Sequence, residues 1–174
     1  MKLKLFPLLL ALVWLLCGCS VSEPAPAEPV AQTFGKAGMS ITLTDAFYEK
    51  DHVAYTACFT SDDIAVFTLR EEYSLFEHTD FSSATSLEEY AGLVWSSNQF
   101  QGTVPLVTDG DLQYFEYDFI SNGNEYTYRT YVFKDAEGFW LVQFATFTSS
   151  FEALQDTIHG YAATVSFDAP YVAQ

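Results

Sequence analysis

Apolar and polar residues alternate along this chain at two spacings, and the change from one to the other marks its elements. Met39 to Thr44 has period two, the signal of a half-buried strand. Asp45 ends it, and Phe47 and Tyr48 fall in a turn. Val53 to Thr60 is rich in strand formers, Ser61, Asp62 and Asp63 form a polar break, and Ile64 to Arg70 resumes the strand pattern. Two such runs joined by three polar residues predict a hairpin. Glu71 to Thr85 is long and irregular, and loops of that length often carry function. At Ser86 the period changes. Leu87, Tyr90, Ala91, Val94 and Trp95 recur at helical spacing behind a capping-box pair, Ser86 and Glu89, which predicts a helix to about Ser97 closed by Asn98. Val104 to Thr108 reads as a short strand whose Pro105 suits an edge. Leu112 to Ile120, Glu125 to Lys134 and Phe139 to Phe147 then form three longer strands separated by turn residues, an antiparallel meander. The last is apolar on both faces, which predicts a central strand covered on both sides. Ser149 and Glu152 repeat the capping-box pattern before Phe151, Leu154, Ile158 and Tyr161 on one helical face, a helix to about Ala163. Val165 to Phe167 is a final short strand. The expected fold class is α+β: an antiparallel sheet of about six to seven strands, hairpin plus meander, flanked by two main helices.

The first residues follow a different pattern. Lys2 and Lys4 precede an apolar run from Leu5 to Leu16 that is too short for a bilayer span, which needs ~20 helical residues. A basic start, a short apolar stretch and small residues at its end mark an export signal. The end, Leu16, Cys17, Gly18 and Cys19, resembles the bacterial lipobox. That resemblance implies a signal peptide of residues 1–18 and a diacylglyceryl thioether on Cys19. The competing readings are an ordinary cleaved signal, an uncleaved anchor, and Cys17 as the acylated residue; Leu16 is large for the position before a cut at Cys17. Ser20 to Gln32, with Pro24, Pro26 and Pro29, reads as an extended linker reaching ~40 Å at ~3.1 Å per residue. The expected organisation is therefore signal 1–18, lipidated Cys19 and linker 19–33, and one domain over 34–174.

The domain resembles the PsbP/DcrB-like family of exported α/β domains. The residues that carry the resemblance are Ser40 to Leu43, the hairpin segment Ile64 to Phe67, the helix start Ser86 to Tyr90, and Phe139 to Val142 with the amphipathic helix after them. The resemblance spans roughly Met39 to Phe167. It implies an antiparallel sheet flanked by helices and a non-catalytic accessory or binding role, and it supplies no catalytic residues.

Composition narrows the class. At 49% hydrophobic and 17% aromatic the chain is not disordered as a whole, and 174 residues suffice for one good core. Lys and Arg total 7 against 23 Asp and Glu, a formal net charge of −16, with no basic cluster for phosphate backbones, so nucleic acid is not an expected partner. Removing residues 1–18 deletes Lys2 and Lys4 and no acid, leaving the remainder still more acidic. With Cys19 acylated, Cys58 is the one thiol left, and no internal disulfide can form. Stability must then come from the core.

Candidate chemistry is sparse. Cys58 sits in an apolar run and reads as a small buried hydrophobe. Asp109 and Asp111, Asp62 and Asp63, Glu71 and Glu72, and Glu88 and Glu89 read as solvated acids rather than cation ligands, since none has calcium-loop spacing. His78 and Asp80 lack further ligands at zinc spacing, and His159 suits a helix C-terminus. No nucleophile-elbow, metalloprotease or phosphate-loop motif occurs. Tyr73, Phe76, Phe81, Trp95, Phe100, Tyr114 and Tyr126 either fill the core and sheet faces or partly line a groove near Glu71 to Thr85. The expected function is a membrane-anchored extracytoplasmic lipoprotein acting as a non-catalytic binding or accessory module. It would need no cofactor, use no metal, and take an envelope protein or a small ligand as partner. The alternative is a cell-envelope hydrolase, which requires Cys58 or a serine within hydrogen-bond reach of His52, His78 or His159.

Overall fold

The structure, a computed structural model, describes residues 28–168. The signal segment, Cys19 and most of the linker lie outside the described residues, as does the C-terminal stretch 169–174.

Among the described residues, ten strands and two α-helices form an α+β fold built on two antiparallel sheets. The chain enters through β1 (Ala31–Lys36) and turns at Ala37 and Gly38, whose φ values of 53° and 87° are the left-handed pair a tight hairpin demands. It returns as β2 (Met39–Thr44). This hairpin corrects the linker expectation: Ala31, Gln32 and Thr33 are not spacer but pair with Thr44, Leu43 and Thr42. β1 is an exposed edge with only Phe34 partly buried, so no period-two signal marks it. β10 (Ser166–Phe167) pairs with the other side of β2 and completes a three-stranded sheet.

The larger sheet holds β3 (Tyr48–Glu49), β4 (Ala57–Thr60), β5 (Ala65–Glu72), β6 (Val107–Asp109), β7 (Leu112–Ser121), β8 (Asn124–Lys134) and β9 (Gly138–Phe147). Its order is β3-β4-β5-β9-β8-β7-β6. The doubly apolar β9 is central, flanked by β5 and β8, as its pattern predicts. Three expected boundaries are corrected. Tyr48, expected in a turn, is in strand β3. Only the last four residues of Val53 to Thr60 form a strand, because Val53 points to solvent and the preceding turn is held by Tyr55 N–H donating to the His52 carbonyl at 3.4 Å. The short edge strand sits at Val107–Asp109, while Val104 and Leu106 turn inward to pack on the core.

α1 (Leu87–Ser97) carries the expected capping box: the Glu89 amide donates to Ser86 Oγ at 3.2 Å, and the Ser86 amide donates to Glu89 Oε2 at 2.8 Å. α2 (Thr148–Ala162) does not use the expected box at Ser149 and Glu152. β9 runs into it without a loop, Phe147 occupies the cap position, and no side chain caps the end. Its first residue is held instead by the adjacent strand, with the Thr148 and Thr127 hydroxyls 3.1 Å apart.

The two helices pack on opposite faces of the large sheet. α2 and β2 cover one face: Ile158 and Ala162 meet Tyr131, Trp140, Val142 and Phe144, with Met39, Ile41 and Leu43 closing the layer. Each fully buried Val, Leu, Ile, Met or Phe among them contributes about 1.5–3 kcal/mol. α1 covers part of the other face, where Tyr90 and Ala91 meet Phe115, Val132 and Phe139. The Tyr90 ring lies flat on Phe139, centroids 4.2 Å apart, and its hydroxyl donates to Glu71 at 2.5 Å. Burial, helped by that carboxylate, pushes the Tyr90 phenol far above its ordinary value, so it remains a donor.

Candidate functional site

The strand register decides which side chains share the α1 face. Along β5 they are Phe67, Leu69 and Glu71, which oppose Gln143, Leu141 and Phe139 of β9. Farther across the sheet, Tyr126, Tyr128, Thr130 and Val132 of β8 follow, then Phe115, Tyr117 and Phe119 of β7. α1 has 11 residues and so measures ~16 Å at 1.5 Å per residue. β8, also of 11 residues, runs ~37 Å at 3.4 Å per residue. The helix covers the end holding Phe115, Val132, Phe139 and Leu141. It cannot reach the other.

Beyond the helix the sheet carries an open aromatic surface. Phe119 and Phe147 are 52% and 44% exposed, unusual for phenylalanines on a sheet face. Tyr126 stacks on Phe147 with centroids 5.0 Å apart, Tyr128 lies parallel to Tyr117 at 5.0 Å, and Tyr55 leans on Phe67 at 4.8 Å. Phe67, Tyr126, Tyr128 and Phe147 line a cleft of about 390 Å³ whose rim includes Ser61, Asp62 and Asp63 from the β4–β5 turn. That volume falls within the range of small-molecule sites. A second cleft of about 390 Å³ lies across the same turn, lined by Phe47, Leu154 and Tyr161 among others.

The inner wall of the open surface is polar and ordered. Gln143 Nε2 donates to the Tyr117 hydroxyl at 2.7 Å and to Thr130 Oγ1 at 2.9 Å. Burial raises the Tyr117, Tyr128 and Tyr55 phenols above their ordinary value, so all three stay protonated and uncharged at neutral pH. The surface therefore offers ring faces and hydroxyls, with fixed negative charge confined to the rim acids.

The other candidates are not gathered into a site. Cys58 is buried, and burial pushes its thiol up, away from the reactive thiolate. Of the imidazole hydrogen bonds, His52 Nδ1 accepts from the Ala54 amide at 3.3 Å and His159 Nδ1 lies 3.3 Å from the Tyr131 hydroxyl. Neither involves a serine or Cys58, the contact a hydrolase would need. His78 is exposed in its loop, and His159 Nε2 lies 3.8 Å from Asp109. Glu71 is taken by Tyr90, and Glu89 by its cap. Among the described residues no three His, Cys, Asp or Glu side chains gather as metal ligands would.

The aromatic residues also sort differently from the expected groove. Tyr73, Phe76, Phe81 and Trp95 pack into the α1 core, and Phe100 lies tilted against Trp95 with centroids 4.5 Å apart. Tyr114 faces the opposite layer, under the Arg129 guanidinium at 4.7 Å. The Glu71 to Thr85 segment closes on Phe139 through Tyr73 and Phe76, and the cleft of about 310 Å³ that Glu72 and Leu75 line with Ala37, Thr56 and Arg70 takes in none of the seven rings. Only Tyr126 of the seven lines the open cleft. The sequence pattern marks Phe67, Tyr128 and Phe147 as strand residues alone. Their alternation placed them on one face, but nothing in the local pattern shows that a helix ends short of them.

No protein-family model matches the chain, and no curated protein matches it. Solved structures are similar to it. They include cyanobacterial PsbP (CyanoP) from Synechocystis sp. PCC 6803, at 12% identity and TM-score 0.47 over 82% of this chain and 95% of that one. A protein from Bacteroides thetaiotaomicron matches at 13% identity and TM-score 0.51, over 85% of this chain and 52% of its own length, so this chain spans about half of it. LpqN, involved in cell envelope biogenesis of Mycobacterium tuberculosis, matches at 10% identity and TM-score 0.48, over 82% and 92%. At these identities the likeness concerns the path of the chain and assigns no activity.

Proposed function

We propose that this protein is a membrane-anchored, extracytoplasmic lipoprotein whose domain binds a ligand or partner without catalysing a reaction. The observation that carries the binding reading is the uncovered half of the sheet, where Phe67, Tyr126, Tyr128 and Phe147 line an open cleft. Aromatic rings left in water at a concave surface cost free energy that a bound partner recovers. Beside them Gln143 donates to the Tyr117 hydroxyl, and burial pushes the Cys58 thiol up, away from the thiolate.

The anchor reading rests on the lipobox at Cys19. Among the described residues no helix is long and apolar enough to cross a membrane, so attachment would fall to the lipid. The described chain begins beside Asp45, where the Val30 amide donates to Asp45 Oδ1 at 3.0 Å. Thr44 and Ala46, on either side of Asp45, line the second cleft together with the same Ser61 to Ile64 turn that rims the first. A tether running from Cys19 to residue 28 would therefore join the domain at its cleft-bearing end.

The test has two parts. Mass spectrometry of membrane-extracted protein should find Cys19 acylated, and Cys19→Ala should release the chain; continued membrane attachment of that variant refutes the anchor. A thermal-shift screen of small molecules should find compounds that stabilise the wild type and not Tyr128→Leu. If every stabilising compound acts equally on both, the cleft is not the binding site.

A further inference from the structure

We infer that the open cleft is a site for a small, soluble organic ammonium ion, a cation with an aliphatic body, and this inference rests on the binding-module reading above. The wall and the rim make complementary demands. Phe67, Tyr126, Tyr128 and Phe147 line a space of about 390 Å³, large enough to enclose an alkylammonium group. The faces of such rings attract cations, and a set of them around one space is the arrangement that binds quaternary ammonium groups. At the mouth stand Asp62 and Asp63, both exposed. Neither forms an ion pair among the described residues, and no Lys or Arg lines the cleft. A chain of formal net charge −16 adds a long-range field of the same sign, which draws cations to this opening and repels anions.

Other ligand classes fit less well. A hard metal ion needs six to eight oxygens, and the cleft offers two adjacent carboxylates over a floor of rings. An acidic or phosphorylated solute would meet Asp62 and Asp63 head on. A neutral apolar molecule would find the rings but would leave the acid rim without a role. An ammonium ion uses both: its charge lies between rim and ring faces while its methyl groups exclude water from the floor.

Four probes titrated into the full chain, purified from membranes in mild detergent, test this by calorimetry. Choline is the cation. Dimethylbutanol has its shape without the charge, glycine betaine adds a carboxylate to the same ammonium group, and glycerophosphocholine is the soluble form of a lipid headgroup. Choline should bind about tenfold or more tighter than the alcohol or betaine at low salt. Asp62→Asn combined with Asp63→Asn should weaken choline about threefold to tenfold and remove most of its salt dependence. Tyr128→Leu should weaken choline more than it weakens the alcohol. Equal affinity for choline and the alcohol would overturn the ammonium site and leave a plain apolar pocket, so the binding-module reading would stand. Tighter binding of glycerophosphocholine than of choline would overturn the free-solute reading in favour of a lipid headgroup. Silence toward all four probes would overturn the ammonium inference by itself, because the binding module fails only if the thermal-shift screen also finds no compound that depends on Tyr128.

Discussion

Two halves of one sheet face are built from the same kinds of residue and end in different states. Under α1, Phe139 meets Tyr90, Tyr73 and Phe76, and it is fully buried. Beyond the helix, Phe147 on the same strand has one stacked partner, Tyr126, and remains 44% exposed. Both are phenylalanines on β9, and the register puts them on the same side. The difference is the length of a helix. An aromatic residue on a sheet becomes core or binding surface according to whether a second layer reaches it, so ring-rich strands do not announce a site by composition.

That contrast can be tested by removing pieces from each half. The largest effect should come from Phe139→Ala, which deletes the ring at the centre of the covered half; urea unfolding should show a loss of about 3–5 kcal/mol. Phe147→Ala, the matching change in the open half, should cost about 1 kcal/mol, the value of one aromatic pair. Equal losses would mean that the open half is as much core as the covered half.

Gly138→Ala should follow, at about 1–3 kcal/mol. A Cβ at this position would lie 2.5 Å from the Glu71 carbonyl, a backbone atom held in the adjacent strand that cannot move aside.

Asp135→Asn should cost about 1–3 kcal/mol, because the carboxylate organises the β8–β9 turn. It accepts from Trp140 Nε1 at 2.9 Å and from the Glu137 and Gly138 amides at 2.7 and 2.8 Å. Burial works to raise its pKa, and these hydrogen bonds outweigh it and hold the carboxyl below the ordinary range. A carboxyl depressed in the folded state stabilises the protein above its unfolded pKa and loses that contribution as pH falls through the folded value. Wild type should therefore weaken in acid more steeply than Asp135→Asn. Parallel curves would remove Asp135 from the account.

Ser86→Ala should have the smallest effect, about 1 kcal/mol from loss of the cap. If the cap is what orients α1 over the covered half, the change should also raise hydrogen exchange across α1 and leave β8 near Tyr126 unaffected.

Local signals carried most of the elements. The helix at Leu87 was legible because Ser86 and Glu89 complete their reciprocal bonds within four residues. The meander was legible because turn residues fall between alternating runs; Asn122 and Gly123, with φ values of 51° and 82°, hold the β7–β8 turn. The start of α2 was not legible, since Ser149 and Glu152 match a cap pattern that the Thr127–Thr148 contact makes unnecessary. β1 was hidden for a similar reason: it is exposed, and only its pairing with β2 defines it. The cleft was the least visible feature, because its walls come from three strands, two of them far in sequence from the β4–β5 turn that forms its rim.

The sequence by itself determined the local grammar: the α1 cap, turns, alternation and the central place of β9. Each depends on residues within a few positions of one another, where backbone geometry and side-chain hydrogen bonds act directly. Only the tertiary structure decided which rings are sealed and which meet water. That outcome follows from how far α1 extends across strands more than twice its length, a relation between distant segments that no short stretch of chain encodes.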